Sequence, residues 1–227
     1  MNFHTPILLL LVSACTGVYS DPARETPPAG PTDPTDPTDP TDPVDPPQIV
    51  TGDKRVFVTS TNYEGGLIGG LAGADAKCAA RASAAGLAGT YKAWLSDSHR
   101  SAASRLTHST GAYSLIDGTL VVANWDDLVA TELQHAIDHD EFGRLYAGPA
   151  GCFARGAAAW TETTVKGDSF PGRPLRLRAC GDWTAISRDG LYGDATVGNI
   201  VASDSFWTEG VCGITCTERA ALYCLEQ

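Results

Sequence analysis

Gly73-Ala-Asp-Ala-Lys-Cys78, an alanine-rich run, and then Gly86-Leu-Ala-Gly-Thr-Tyr-Lys-Ala-Trp-Leu-Ser96 form the stretch that decides the fold. Leu71, Ala74, Cys78, Ala82 and Ala85 recur at three- and four-residue steps, so they share one face of a helix spanning Leu71 to Ala85. Gly86 is a natural stop, because glycine takes left-handed backbone without a Cβ penalty. Alanines on the inward face imply close approach of helix to sheet. Tyr91 to Leu95 follows at once as an aromatic-rich strand.

Working outward, Arg55 to Ser60 reads as a strand, and residues 61–70 as a Gly-rich connection. Ser101 to Leu106 reads as a short helix. Tyr113–Ile116 and Leu120–Val122 are strands around the turn pair Asp117-Gly118. Asn124 to Leu128 reads as an N-capped helical turn. Beyond Gly143 come short β-like pieces at Ala157–Thr161, Trp183–Ile186, Ser205–Thr208 and Ala221–Leu225, separated by Gly- and Asp-rich loops. One long helix followed by short strands and long loops predicts an α+β domain. The N-terminal half, with the regular pattern, is expected to be the scaffold.

The chain has 227 residues, a net charge of −11 and 43% hydrophobic residues. The charge is uneven: residues 1–49 carry seven acidic groups against Arg24, leaving about −5 for the rest. That balance disfavours nucleic acid, heparin-like polyanions and anionic lipid surfaces as partners. Pro6 to Ala14 is an apolar run too short to span a bilayer, and reads as a secretory signal. Val12-Ser13-Ala14-Cys15 resembles a bacterial lipobox, in which the cysteine becomes the lipidated first residue; Met1 to Thr5 carries no Lys or Arg. The expected organisation is a signal peptide at 1–14, a lipidated Cys15 with a disordered linker over 15–50, and one domain at 51–227. Thr-Asp-Pro repeats from Thr32 to Pro43, and proline at every third position favours polyproline II. Its aspartates recur roughly every 9 Å, too far apart to share a calcium ion. The repeat reads as a stiff, self-repelling stalk of up to roughly 100 Å. The chain has seven cysteines. With Cys15 lipidated, six are left in an oxidising compartment, enough for three disulfides.

Several motifs invite chemistry and fall short of it. Gly65, Gly66, Gly69, Gly70 and Gly73 precede a helix, but match no dinucleotide-binding or phosphate-loop pattern. His135 and His139 have the helical spacing of a zinc pair without the glutamate that a zincin needs, and Ile137 between them also suits a strand entering a turn. They read as solvated loop histidines. Cys212-Gly-Ile-Thr-Cys216 is neither zinc knuckle nor redox motif, and disulfides account for it better. Asp126-Asp127 and Asp140-Glu141 are adjacent pairs that are expected to point apart on solvated turns. No Gly-x-Ser-x-Gly elbow occurs. Trp94, Trp125, Trp160, Trp183 and Trp207 read mainly as core. Trp183, beside Asp182 in a loop-rich region, is the one most suited to touch a ligand.

Four blocks resemble endostatin, the C-terminal domain of collagens XV and XVIII, and cover most of residues 55–227. They are Gly73 to Ser96, Leu120 to Leu128, Cys180-Gly-Asp-Trp-Thr184, and Cys216 to Glu226 ending Leu-Tyr-Cys-Leu-Glu. The chain is also similar to bacterial endostatin-like lipoproteins that share the lipobox, the Pro/Thr-rich spacer and the domain, some of which bind host matrix or complement proteins. The resemblance implies a C-type-lectin-like fold with disulfides Cys78–Cys224 and Cys180–Cys216. Cys152 and Cys212 have no counterparts in endostatin and are left to pair with each other. Nothing equivalent to endostatin's N-terminal zinc histidines precedes Phe57, and the domain is acidic where endostatin is arginine-rich. The calcium-binding tripeptides of C-type lectins do not occur. No metal, cofactor or catalytic residue is therefore expected. The expected function is a non-catalytic lipoprotein, extracytoplasmic and anchored in the bacterial envelope at the outer membrane, that binds an extracellular protein or glycan. Asp182, Trp183, Arg173, Arg176 and Arg178, in the loops between about Gly148 and Gly213, are the expected contacts. The alternatives are a structural envelope protein without a soluble ligand and, third, a secreted hydrolase.

Overall fold

The computed structural model describes residues 49–130, 132–148, 157–170, 179–185, 195–210 and 212–227. Cys15, the Thr-Asp-Pro stretch, Cys152, Arg173, Arg176 and Arg178 lie outside them. Among the described residues no helix is long and apolar enough to cross a membrane.

The alanine face does what its spacing predicts. Helix α1 spans Gly70–Ala84 and buries Ala74, Cys78 and Ala82. It is entered sharply: Gly69 and Gly70 have φ of 88° and 71°, and a Cβ on Gly73 would lie 2.1 Å from the Ile68 carbonyl oxygen. Only glycine fits there.

The chain enters the domain at β1 (Ile49–Val50) and continues through β2 (Lys54–Val58) and β3 (Tyr63–Glu64). After α1 come β4 (Tyr91–Ala93), a short α2 (Ala102–Arg105), β5 (His108–Ser109), β6 (Tyr113–Ser114), β7 (Leu120–Val122) and α3 (Trp125–Leu128). Asn124 caps α3 as expected, its side chain accepting from Asp127 N. The second half adds β8 (Ala158–Trp160), β9 (Ala195–Asn199), β10 (Gly213–Ile214) and β11 (Arg219–Glu226). The fold is thus mixed helix and sheet.

Among the described residues nine strands form one sheet, along the path β10-β9-β8-β11-β2-β6-β7, with β3 and β4 also paired to β11. β11 is the central strand, flanked on one side by β2 and β3. On the other side β4 pairs antiparallel at Cys224–Glu226, and β8 takes over in parallel at Ala221–Leu222. This corrects the expectation that the N-terminal half alone is the scaffold. The longest strand, through the middle of the sheet, is the C-terminal one.

Both faces of the sheet are buried, and the period-2 alternation of strands sorts the side chains between them. Val56, Val58, Ala221, Tyr223 and Leu225 join one apolar cluster with Trp94, Trp125 and Trp207. Phe57, Ala220, Leu222 and Cys224 join the other, with α1, Trp160 and Trp183. A strand covered on both faces reads as an unbroken apolar run, as Ala220 to Leu225 does.

Cys78–Cys224 ties α1 to the central strand and Cys180–Cys216 ties a loop to the sheet margin. Both are the pairs implied by the endostatin resemblance. Cys212 is also disulfide-bonded. Two expected strands are something else. Ser205–Trp207 is a 3-10 turn capped by the Asp204 side chain, and the Trp183 segment is a left-handed turn. Strand β9 was not expected from the sequence.

Buried tyrosines set an alkaline limit. Burial, with the Glu226 carboxylate nearby, pushes the Tyr91 hydroxyl up to about 12, and burial raises Tyr223 well above its ordinary value. An unfolded tyrosine titrates near 10. The folded chain holds these protons more tightly, so their contribution is complete below about pH 10 and is lost as pH rises through about 12. Urea midpoints should therefore fall steeply over that window. A flat midpoint, with all seven tyrosines ionising near 10 in the folded protein, would contradict this burial.

Candidate functional site

β4 and β8 splay apart where one hands over to the other beside β11, and polar residues fill the junction. Ser96 N donates to the Thr161 carbonyl at 3.1 Å. Ser96, Thr161, Thr163 and Thr208 are all fully buried. Thr163 Oγ1 donates to the Thr161 carbonyl at 2.6 Å, so its proton is spent. Ser96 Oγ must then donate to Thr163 Oγ1, at 2.8 Å, while accepting from Ala102 N at 2.9 Å. Thr208 Oγ1 donates to the Thr163 carbonyl and accepts from Trp94 Nε1. Every hydroxyl has a defined role, so the network fixes the loops that leave this end of the sheet.

On this base stands the rarest backbone among the described residues. Ala179, Cys180, Gly181, Asp182 and Trp183 have φ of 45°, 54°, 59°, 54° and 67°. Five consecutive residues thus have positive φ, and Cys180, Gly181 and Asp182, with ψ of 44°, 51° and 43°, are in left-handed helical conformation. Each of the four non-glycine residues pays roughly 1–2 kcal/mol for it. Within Ala-Cys-Gly-Asp-Trp only Gly181 and Asp182 accept such backbone readily; Ala179, Cys180 and Trp183 do not. Tertiary contacts impose it. Cys180 is held by its disulfide to Cys216. A Cβ on Gly65 would lie 2.8 Å from Cys180 Sγ and 2.9 Å from the Trp160 ring, so the turn seats against a glycine. Trp183 O accepts from Gly69 N at 2.9 Å, and Trp183 Nε1 donates to Ser96 O at 2.9 Å.

This placement corrects the expected role of Trp183. Its side chain has no exposed surface and packs edge-on against Trp160 at 5.6 Å between ring centroids. It anchors the turn from beneath and is not a ligand contact. Four of the five tryptophans are fully buried and Trp125 is 6% exposed, as large rings at strand ends in a small core should be.

What the turn displays is Asp182. Its carboxylate is 35% exposed and accepts from Ser98 N at 2.9 Å and Ser98 Oγ at 2.8 Å. His99 Nε2 lies 3.7 Å from Oδ2, the oxygen that accepts from Ser98 Oγ, on a side chain that is 77% exposed. The 97–100 loop is itself fixed: Asp97 accepts from His99 N and Arg100 N, and its carbonyl accepts from Ser169 Oγ. Serine, histidine and aspartate thus meet at one spot in the wrong order for nucleophilic catalysis. The carboxylate stands between the other two and takes the serine proton itself, whereas a triad needs the imidazole in the middle.

Glu162 adds a second strained position nearby. It has φ of 42° and is 2% exposed. Its Oε2 accepts from Thr196 N at 2.7 Å, while Oε1 and Thr196 Oγ1 have no hydrogen-bond partner. Sequence reasoning missed both Glu162 and Ser98. Glu162 sits in Thr-Glu-Thr-Thr, which reads as an ordinary polar loop, so no local signal exists. The histidines at 135 and 139 lie elsewhere, with ring centroids 6.2 Å apart and both Nδ1 atoms engaged. Asp140 and Glu141, expected on a solvated turn, are buried instead. Among the described residues no group of three or more His, Cys, Asp or Glu side chains is arranged to hold a metal ion.

No protein-family model matches this chain, and no curated protein matches it.

Proposed function

We propose that this is a lipid-anchored envelope protein whose domain, endostatin-like and C-type-lectin-like, binds an extracellular partner through the loop face around Asp182. Cys15 carries the anchor, the Thr-Asp-Pro stretch holds the domain off the outer membrane, and no metal or turnover is involved. The observation that carries the reading is the five-residue left-handed turn. Backbone strain persists only where the surrounding structure over-determines it, and it concentrates at functional sites. Here a disulfide, a buried indole and two backbone contacts hold a strained turn whose exposed products are Gly181, the Asp182 carboxylate and Thr184. A pre-ordered loop face lowers the entropic cost of association. The saturated hydroxyls and the Ser98–Asp182–His99 order favour binding over catalysis. Supporting the fold assignment are the four endostatin-like sequence blocks and the first-to-last cysteine pairing.

The test is capture of partners from extracellular-matrix and envelope fractions by the full-length protein and by Asp182→Ala and Asp182→Asn variants. Asparagine tolerates left-handed backbone nearly as well as aspartate, so Asp182→Asn should melt like the parent. Asp182→Ala should weaken capture of the retained partner by about tenfold, or about 1.4 kcal/mol, which would place it among the minority of interface residues whose truncation costs more than about 1 kcal/mol. Undiminished capture by folded Asp182→Ala would remove this face from consideration.

A further inference from the structure

A second site, at β5 and α3, shares no described residue with the Asp182 face. We propose that it binds a neutral saccharide. A groove of about 300 Å³ is lined by His108, Ser109, Thr110, Asn124, Trp125 and Asp126. That volume is at the small end of ligand pockets. It adjoins β1, where the chain enters the domain, because β1 pairs in parallel with β5.

The lining has the two components that sugar recognition needs: a flat ring wall and hydrogen-bonding groups with capacity to spare. The His108 and Trp125 rings stack at 3.8 Å between centroids and 12° between planes. Trp125 is backed in turn by Trp94 at 5.9 Å, so the imidazole stands on a rigid aromatic support. His108 Nε2 lies 2.8 Å from the Ala103 carbonyl. A carbonyl only accepts, so Nε2 carries the proton, and Nδ1 of the neutral ring is an acceptor. Asn124 Oδ1 is spent on Asp127 N, at 2.9 Å, which leaves the Nδ2 hydrogens as donors. Among the described residues the exposed Asp126 side chain makes no hydrogen bond or ion pair. One donor amide, one acceptor carboxylate and one acceptor imidazole beside a ring face match the alternating donor–acceptor hydroxyls and apolar C–H faces of a sugar.

The same lining argues against other ligands. Among the described residues no lysine or arginine lines the groove, and Asp126 with neighbouring Asp127 repels phosphates, uronates and sialates. A purely apolar ligand would leave the amide and carboxylate unpaired on burial. The site is independent of the Asp182 face, so each proposal stands or fails alone.

The experiment is calorimetric and tryptophan-fluorescence titration of the full-length protein with chitotetraose as a wall-type glycan, lactose and maltotetraose as other neutral glycans, and sialyllactose as the anionic comparison. The expected result is millimolar-range or tighter binding of at least one neutral glycan and none of sialyllactose. His108→Ala and Asp126→Asn should each weaken it by about tenfold, which is about 1.4 kcal/mol. Asp126 is exposed and among the described residues has no hydrogen bond or ion pair to lose, so the isosteric Asp126→Asn keeps the test valid should His108→Ala fail to fold. Preference for chitotetraose would point to the cell's own wall, and preference for lactose to a host glycan. Absence of binding by every neutral glycan, binding unaffected by Asp126→Asn, or equal binding of sialyllactose would each overturn the proposal.

Discussion

Replacing Cys78 and Cys224 together by alanine is expected to leave the domain largely unfolded at physiological temperature. The two residues are 146 apart, so the bridge closes most of the domain. In the chain-entropy account a loop of that length contributes about 5 kcal/mol, against about 4 for the 36-residue separation of Cys180 and Cys216. Both Cys78 and Cys224 are fully buried, and they join the alanine face of α1 to the strand that every other layer packs around. Total stabilities of domains lie at about 5–15 kcal/mol, so losing 5 removes a third or more. Alanine is chosen over serine because it leaves no buried hydroxyl. Thermal melts should rank the Cys78/Cys224 double variant below the Cys180/Cys216 one. The reverse order would show that the left-handed turn, and not the helix–sheet tie, governs stability.

Gly198→Ala is expected to be nearly as damaging, although it adds one methyl group. Gly198 pairs with Ala159 in the sheet. A Cβ there would lie 1.8 Å from the Trp207 carbonyl oxygen and 2.7 Å from its carbon. Those are backbone atoms, so no rotamer change relieves the clash. The 3-10 turn Ser205–Trp207 would have to retreat, taking Trp207 from its packing against Trp94 and Tyr223 at 5.0 and 5.7 Å. The loss should be on the order of 4 kcal/mol, at the extreme of single substitutions. Gly86→Ala is the control. Its φ is +69°, with nothing within 4 Å of a Cβ, so it bears only the left-handed penalty of about 1–2 kcal/mol. Equal urea midpoints for the two variants would mean that strand β9 and the Trp207 turn are not in this contact.

These two effects also mark how far the sequence could be read. Helix α1 was legible because alanine spacing is a local signal that tertiary structure did not override. The aromatic strand after it was legible too, as were the Asn124 cap and the apolar C-terminal strand. The centrality of β11 was not, because strand order depends on pairing partners far away in the chain. Strand β9, Ala-Thr-Val-Gly-Asn, was missed because Gly198 weakens its pattern, and the reason for that glycine is a contact with Trp207. Ser205–Thr208 reads as a β-like piece, yet Asp204 before it is an ordinary capping signal and the segment is a 3-10 turn. At the candidate site Asp182 was legible as an acidic residue in a Gly-rich loop. The inward turn of Trp183 was not: Cys216 through its disulfide to Cys180, Gly65 beneath Cys180, Gly69 on the Trp183 carbonyl and Ser96 on its indole jointly hold the segment, and all four lie far from it in sequence.

The central claim is that the Asp182 loop face meets a partner. Hydrogen exchange of the full-length protein, with and without the partner captured in the pull-down, tests it most directly. The account predicts slowed exchange at the backbone amides of Ser98, His99, Asp182 and Thr184, with α1 and β6–β7 unchanged. Slowed exchange confined to α1 or β6–β7, with none at Ser98 or Asp182, would contradict it.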